Sequence, residues 1–264
     1  MIAPVVAADS LAALLAASPG TVLADVRWYL DGRDGRAAFE AQHLPGAVWV
    51  DLEGALAAHD LPATEGRHPL PIPQAFAAAM GALGIGDHTE VVAYDDTGGL
   101  TAARLVAMLR MLGRDAALLD GGLTAWVADG RSTESGPGTT PTPAPFTSTP
   151  WPAHRLATAD EAAAHAAAGG PVLDARVHER FTGEQALIDP RPGHVPGARN
   201  APWAATLAPD GRLRSPAELR AHYEALGAAD PDAAPITYCG SGVSACMNLV
   251  AMEHAGLQPA RLYV

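Results

Sequence analysis

The chain has only two cysteines in 264 residues, Cys239 and Cys246. So few argue against a disulfide framework and fit a reducing compartment, which makes the cytoplasm the expected location. No uninterrupted apolar run of about 18 residues occurs, so no membrane span and no membrane partner are expected. The N-terminus, Met1 to Asp9, has no basic stretch, and its short apolar run breaks at Asp9, so a secretory leader is not expected. Positive charge is scarce too. With 17 basic against 29 acidic side chains the formal charge is −12, which disfavours nucleic acid and anionic membranes as partners. A small anionic substrate stays open, because local cations decide that. Neither a GxGxxG nor a Walker loop occurs, and no Cys/His cluster has metal-ligand spacing. No cofactor and no metal are expected.

What the chain does have is a repeat. Val22-Leu-Ala-Asp-Val-Arg27 and Val172-Leu-Asp-Ala-Arg176 are both apolar strands ending in Asp and Arg. His43-Leu-Pro-Gly-Ala-Val48 pairs with His194-Val-Pro-Gly-Ala-Arg199, and Val91-Val-Ala-Tyr-Asp95 with Pro235-Ile-Thr-Tyr-Cys239. Offsets run only from 144 residues (91 to 235) to 151 (43 to 194). Units of this size mean two similar domains and not a solenoid, whose repeats are far shorter. Between them, residues 132–153 are rich in Pro, Thr and Gly. That composition suits an extended linker, with a surface loop inside one domain as the alternative. The expected domains are 1–131 and 154–264.

Each copy alternates short β-rich runs with helical stretches, the pattern of an α/β fold with a largely parallel central sheet flanked by helices. Thr158-Ala-Asp-Glu161 and Ser215-Pro-Ala-Glu218 fit capping boxes, the second with Pro216 at the first helical position. Gly169 and Gly256 are placed to end helices. Strands are expected at 172–174, 198–201, 236–238 and 261–264, and a helix at 243–255.

Cys239 is the chemical centre of the sequence. It ends an apolar strand and opens the loop Cys239-Gly-Ser-Gly-Val-Ser244, just before a helix. Two glycines let that backbone curl so that successive N–H groups point inward as a nest. Unsatisfied N–H groups and the positive end of a helix dipole stabilise a thiolate there. The alternative is an inert buried cysteine at a strand end. A phosphatase loop would need an arginine after it, but Ala245 stands there and the following helix carries none. The short neutral loop suits a single sulfur better than a phosphoryl group.

Arg180 and Arg191 lie on the loop leaving a strand's C-terminal end, where parallel sheets place ligands, Arg191 within Asp189-Pro-Arg-Pro-Gly-His194. As a pair they suit a carboxylate, with solvated surface arginines as the alternative. His43 and His194 occur in both copies, including the one without a cysteine, so both read as turn-holders. His68 has no counterpart and is a candidate for a role across the cleft, an ordinary surface histidine being the alternative. Cys246 reads as core.

These features together resemble the two-domain rhodanese family of sulfurtransferases over essentially the whole chain. The carriers are the paired Asp/Arg strand ends, the paired His-x-Pro-Gly turns, Leu119-Asp-Gly-Gly-Leu-Thr-Ala-Trp126 and the Cys239–Ser244 loop. The resemblance implies tandem rhodanese-like domains, the first inactive with Asp95 in place of cysteine, the second catalytic. It implies sulfur transfer from 3-mercaptopyruvate through a Cys239 persulfide to a thiol or cyanide, with thioredoxin a candidate acceptor. A thiosulfate-preferring rhodanese is the alternative. Members preferring 3-mercaptopyruvate carry Gly-Ser-Gly-Val-Thr or close variants after the cysteine, and here Gly240, Ser241, Gly242 and Val243 match while Ser244 stands where Thr is usual. Arg180 and Arg191 match the carboxylate-binding arginines, and Gly240, Gly242, Val243 and Ser244 the loop that holds the sulfur. Ser241 matches the serine of an acid–His–Ser relay whose other members would be His68 and either Glu53 or Asp51. Arg104, at the start of a first-domain helix, is a further candidate for the cleft. The second copy ends at Val264 without the Gly-Gly-Leu-Thr-Ala-Trp segment that follows in the first. A truncated terminus or a less covered second domain is therefore expected.

Overall fold

The computed structural model describes residues 1–59, 61–62, 65–186 and 191–264. Asp189 of the motif quoted above lies outside the described residues. The first half runs β1 (Val5–Val6), α1 (Ala8–Ala17), β2 (Val22–Asp25), α2 (Gly35–Ala41), β3 (Val48–Trp49), α3 (Leu52–Leu56), α4 (Pro73–Ala82), β4 (Val91–Tyr94), α5 (Ala102–Met111), β5 (Ala116–Leu119) and α6 (Gly122–Ala128). The second runs β6 (Leu156–Ala157), α7 (Ala159–Ala167), β7 (Val172–Asp174), α8 (His178–Thr182), β8 (Arg199–Asn200), α9 (Pro216–Ala225), β9 (Ile236–Tyr238), α10 (Ala245–His254) and β10 (Arg261–Tyr263).

The strands form two five-stranded sheets, ordered β1-β5-β4-β2-β3 and β6-β10-β9-β7-β8. Every pairing is parallel. Strands β4 and β5 are buried at every position, as expected of strands covered by helices on both faces. The sequence repeat is thus a repeat of topology, and the chain consists of two tandem α/β domains. Among the described residues no helix is long and apolar enough to cross a membrane.

The repeated residues are the hardware of each domain. Asp25 and Asp174 end β2 and β7, fully buried, and each binds its Arg partner two residues on. Arg27 Nη2 lies 2.8 Å from Asp25 and Arg176 Nη2 2.6 Å from Asp174. Both arginines reach on to a loop carbonyl, of Gln42 at 2.5 Å and Gly193 at 2.7 Å. His43 and His194 stack on Phe39 and Phe181, each ring nitrogen Nδ1 lying 2.8 Å from its phenylalanine's carbonyl oxygen. Both therefore brace turns and take no part in the cleft.

Both capping boxes form, and Gly169 and Gly256 follow their helices with φ of +82° and +69°. Some boundaries differ from the sequence expectation. Helix α10 begins at Ala245 and not at Val243, because Val243 and Ser244 complete the loop around the thiol. Strand β8 keeps only Arg199–Asn200 of the expected 198–201, the only two residues that pair with β7.

Residues 132–152 contain no helix and only one isolated bridge, Glu134 to His43. The segment does not hang free. Thr139 N–H donates to Ala47 at 3.1 Å and Ala144 N–H to Gly81 at 2.9 Å. Phe146 and Trp151 pack on Phe76, so the connector is a strap fastened along the first domain.

The domains share one interior. Helices α5 and α10 pack on each other, α5 buried at all ten positions and α10 from Ala245 to Met252. A helix buried on every side has no solvent face, so each needs the other domain. One hydrophobic cluster runs through both halves. At its edges Arg110 of α5 pairs with Glu253 of α10, and Arg212 grips the Asp129 carboxylate at 2.9 and 2.8 Å.

Candidate active site

Cys239 follows β9 directly, half-buried at the head of the loop that leads into α10. Ser241 N–H donates to its sulfur at 3.5 Å, and Ser241 Oγ lies 3.9 Å away. The Ser244 hydroxyl and the Ala245 N–H also face the sulfur. Burial alone would push the thiol up. These hydrogen bonds outweigh it and hold Cys239 below the ordinary thiol range. The second cysteine behaves oppositely. Cys246 is fully buried, donates its S–H to Gly242 O at 3.1 Å, and is pushed up to about 11 by burial. It is a core residue.

The first domain carries the same cradle, already filled. Asp95 ends β4 as Cys239 ends β9, and its carboxylate is completely buried. It accepts from the N–H groups of Thr97, Gly99, Thr101 and Ala102 at 2.8–2.9 Å, and from Thr101 Oγ at 3.0 Å. The donor positions correspond: an N–H two residues on, a hydroxyl at the loop's end, and the first N–H of the next helix. The first-domain loop is one residue longer and holds its own anion.

A cleft of about 380 Å³ opens beside the Cys239 loop. From the second domain it is lined by Ser241, Val243, Ser244, Arg176, Val177, Arg180 and Trp203. The first domain contributes Trp28, Tyr29, Leu30, Arg67, His68, Leu100 and Thr101 among others. The sequence contains no lysine, so every side-chain cation here except a protonated histidine is a guanidinium. Among the described residues no His, Cys, Asp and Glu group could hold a metal ion.

Of the residues singled out from sequence, the fold brings Ser241, Val243, Ser244, Arg180 and His68 to this cleft. Gly240 and Gly242 shape the loop, and Gly242 has a φ of +66°. Arg191 does not line the cleft; it is exposed, next to residues 187–190, which are not described. Arg104 is fully buried and points away from solvent, donating to the carbonyls of Gly242 at 3.0 Å, Leu56 at 3.1 Å and His68 at 2.9 Å. It lies behind the cleft, tying the Cys239 loop to the His68 backbone, and does not line it.

His68 is nearly buried, and burial followed by the Arg104 charge holds its imidazole below the ordinary range. Its acidic neighbour is Glu53, with Nε2 to Oε1 at 3.7 Å. Trp28 Nε1 donates to the same Glu53 oxygen at 3.1 Å, and the indole packs edge-on against His68. Asp51 instead caps α3. Among the described residues His68 makes no hydrogen bond to Ser241, so the relay is present as neighbours and not as a connected chain. Arg67, Trp28 and Leu100 carried no sequence signal of their own. Leu100 was reachable through the repeat, because it sits in the first-domain counterpart of the cysteine loop.

The rhodanese-like domain family matches this chain twice, at residues 7–129 and 158–264. A Pseudomonas aeruginosa protein, provisionally named a 3-mercaptopyruvate sulfurtransferase, is 40% identical over 267 residues, covering 99% of this chain and 92% of its own length. A Mycobacterium tuberculosis protein, provisionally named a thiosulfate sulfurtransferase, is 38% identical over 260 residues, covering 98% and 90%. The solved structure of the 3-mercaptopyruvate sulfurtransferase from Leishmania major superposes with a TM-score of 0.84 at 31% identity, covering 99% of this chain and 72% of that one. Two matched domains, full-length identity to sulfurtransferases and a cradled thiol agree: the chain belongs to the two-domain rhodanese family and is a sulfurtransferase.

Proposed function

We propose that the protein moves a sulfur atom from 3-mercaptopyruvate to a thiol or to cyanide through a persulfide on Cys239. The observation that carries this reading is a thiol held below its ordinary range in a loop without side-chain charge, beside a cleft that contains Arg180. In the first half-reaction the Cys239 thiolate attacks the donor sulfur. The carbon–sulfur bond breaks, its electron pair leaves with pyruvate as the enolate, and the enolate takes up a proton. Ser241, whose hydroxyl lies 3.9 Å from the sulfur, passes that proton. In the second half-reaction an acceptor thiolate or cyanide attacks the outer sulfur, and Cys239 leaves as thiolate.

Arg180, which reaches the cleft from α8, holds the donor's carboxylate, and Arg191, exposed and outside the cleft, is left out of this clamp. Gly240, Gly242, Val243 and Ser244 cradle the sulfur. The working unit is residues 154–264. The strap 132–153 joins it to the unit 1–131, which supplies the facing wall, and the reducing cytoplasm keeps the thiol free. Thioredoxin fits as an acceptor because it offers a reactive dithiol.

A second reading, thiosulfate as donor, is favoured by Arg67, which brings a charge to the loop's rim that the loop lacks. Initial rates with each donor, using a dithiol and then cyanide, separate the two. A higher kcat/KM for 3-mercaptopyruvate that drops about 10- to 100-fold in Arg180→Ala supports the keto-acid site. A preference for thiosulfate unaffected by Arg180→Ala removes the carboxylate clamp and leaves the persulfide chemistry in place.

A further inference from the structure

Two arginines of the first domain grip the outside of the loop that carries the thiol. Arg67 Nε donates to the carbonyl of Gly240 at 3.0 Å, and Arg104 Nη1 to the carbonyl of Gly242 at 3.0 Å. In a planar trans peptide the C=O and the N–H of one unit point in opposite directions. The Gly240 carbonyl shares its unit with the Ser241 N–H. A guanidinium drawing that oxygen outward therefore turns the N–H inward, where it meets Cys239 Sγ at 3.5 Å. A cation on one end of a hydrogen-bonded chain also polarises the unit and strengthens the donor at its other end.

The Gly242 carbonyl and the Val243 N–H form the unit two peptide bonds further along the loop. Here the fit is tight. Gly242 has a φ of +66°, and a Cβ on it would lie 3.0 Å from Arg104 Nη1. Arg104 is completely buried, and its Nη groups are committed to three carbonyls, so a direct contact with donor or acceptor is not its task.

We propose that Arg67 and Arg104 are positioning residues: from the domain without the cysteine, Arg67 orients and polarises the peptide unit whose Ser241 N–H stabilises the sulfur anion, and Arg104 fixes the Gly242 carbonyl and with it the curl of the loop around the sulfur. The inactive domain thereby takes part in the reactivity of a thiol it does not carry. This rests on Cys239 being the reacting thiol.

The test is alkylation of Cys239 by iodoacetamide across a pH series in the full chain, which needs no sulfur donor. Arg67→Gln should raise the midpoint and slow alkylation at neutral pH roughly three- to tenfold, with Arg67→Lys recovering part of the loss. Arg104→Lys should act in the same direction, and Arg67, being exposed, keeps the test available if that variant does not fold. An unchanged midpoint in Arg67→Gln overturns the proposal. The Ser241 amide proton resonance supplies the second readout and should move in Arg67→Gln. A raised midpoint with an unmoved Ser241 resonance would make the arginine a remote charge, which also overturns it. Undiminished turnover in Cys239→Ser would be a different failure, that of the persulfide reading itself.

Discussion

Asp95 and Cys239 hold the same place in the two domains, each at the end of the sheet's central strand and each accepting from the N–H two residues on. The loop fold brings several donors to one point, and a point rich in donors requires an acceptor. In the first domain the chain provides it as a fixed carboxylate. In the second it provides a sulfur, which in the proposed function takes on and loses a second sulfur. One scaffold thus yields a structural anion and a reactive one.

Removing the acceptor in the first domain should cost stability. Asp95→Ala leaves three buried N–H groups, the half-buried Thr97 N–H and a hydroxyl without their partner, and a loss of about 2–4 kcal/mol is expected. Urea unfolding with the same m-value and a lower midpoint is the expected record. Asp95→Asn, which keeps one acceptor oxygen, should fall between the two.

Cys239→Ser should abolish sulfur transfer while leaving the unfolding transition unchanged. Its hydroxyl can accept the same hydrogen bonds but cannot form a persulfide. Turnover assays beside thermal melts check both halves of this statement, and a variant with wild-type turnover would falsify the mechanism.

The two thiols should separate cleanly by reactivity. Cys239 lies below the ordinary thiol range, whereas Cys246 is pushed up to about 11. At neutral pH iodoacetamide should modify one cysteine per chain, and mass spectrometry should place it at 239. Cys246 should react only once the chain unfolds.

Acid should destabilise the fold before the carboxylates titrate. His68, His222 and His254 are all held below the ordinary imidazole range, by burial first. As pH falls below about 6.5 the unfolded chain takes up protons that the folded one does not. Stability is unaffected by these groups above that window and declines below it. A fall in Tm of about 2–4 °C between about pH 7.5 and pH 5.5 is expected, and His68→Asn should flatten part of it. A flat profile in the parent chain would contradict this account.

How much of this was legible beforehand depends on sequence distance. The Asp25–Arg27 and Asp174–Arg176 pairs lie two residues apart, and the capping boxes three, so local sequence encodes them. Cys239 and its donors also lie within one loop and helix start. The repeat carried the equivalence of Asp95 and Cys239, but not that Asp95 satisfies its own cradle, which depends on backbone directions. Arg67 reaches Gly240 across 173 positions, and Arg104 reaches Gly242 across 138. No motif marks such contacts, because the packing of one domain on the other creates them. For the same reason the acidic neighbour of His68 was open between Asp51 and Glu53 until α3 assigned Asp51 to a cap.

Helix α5 shows what duplication has done to this chain. All ten of its residues are buried, and each of its two arginines reaches across the interface, one to the Gly242 carbonyl and one to Glu253. A self-sufficient half would have kept a polar face on that helix for water. Here each copy has given up its outer surface to the other, so the pair that began as interchangeable modules has become mutually obligate. Parting the halves would bare α5 and the first eight residues of α10 to water, so neither half carries a finished surface of its own.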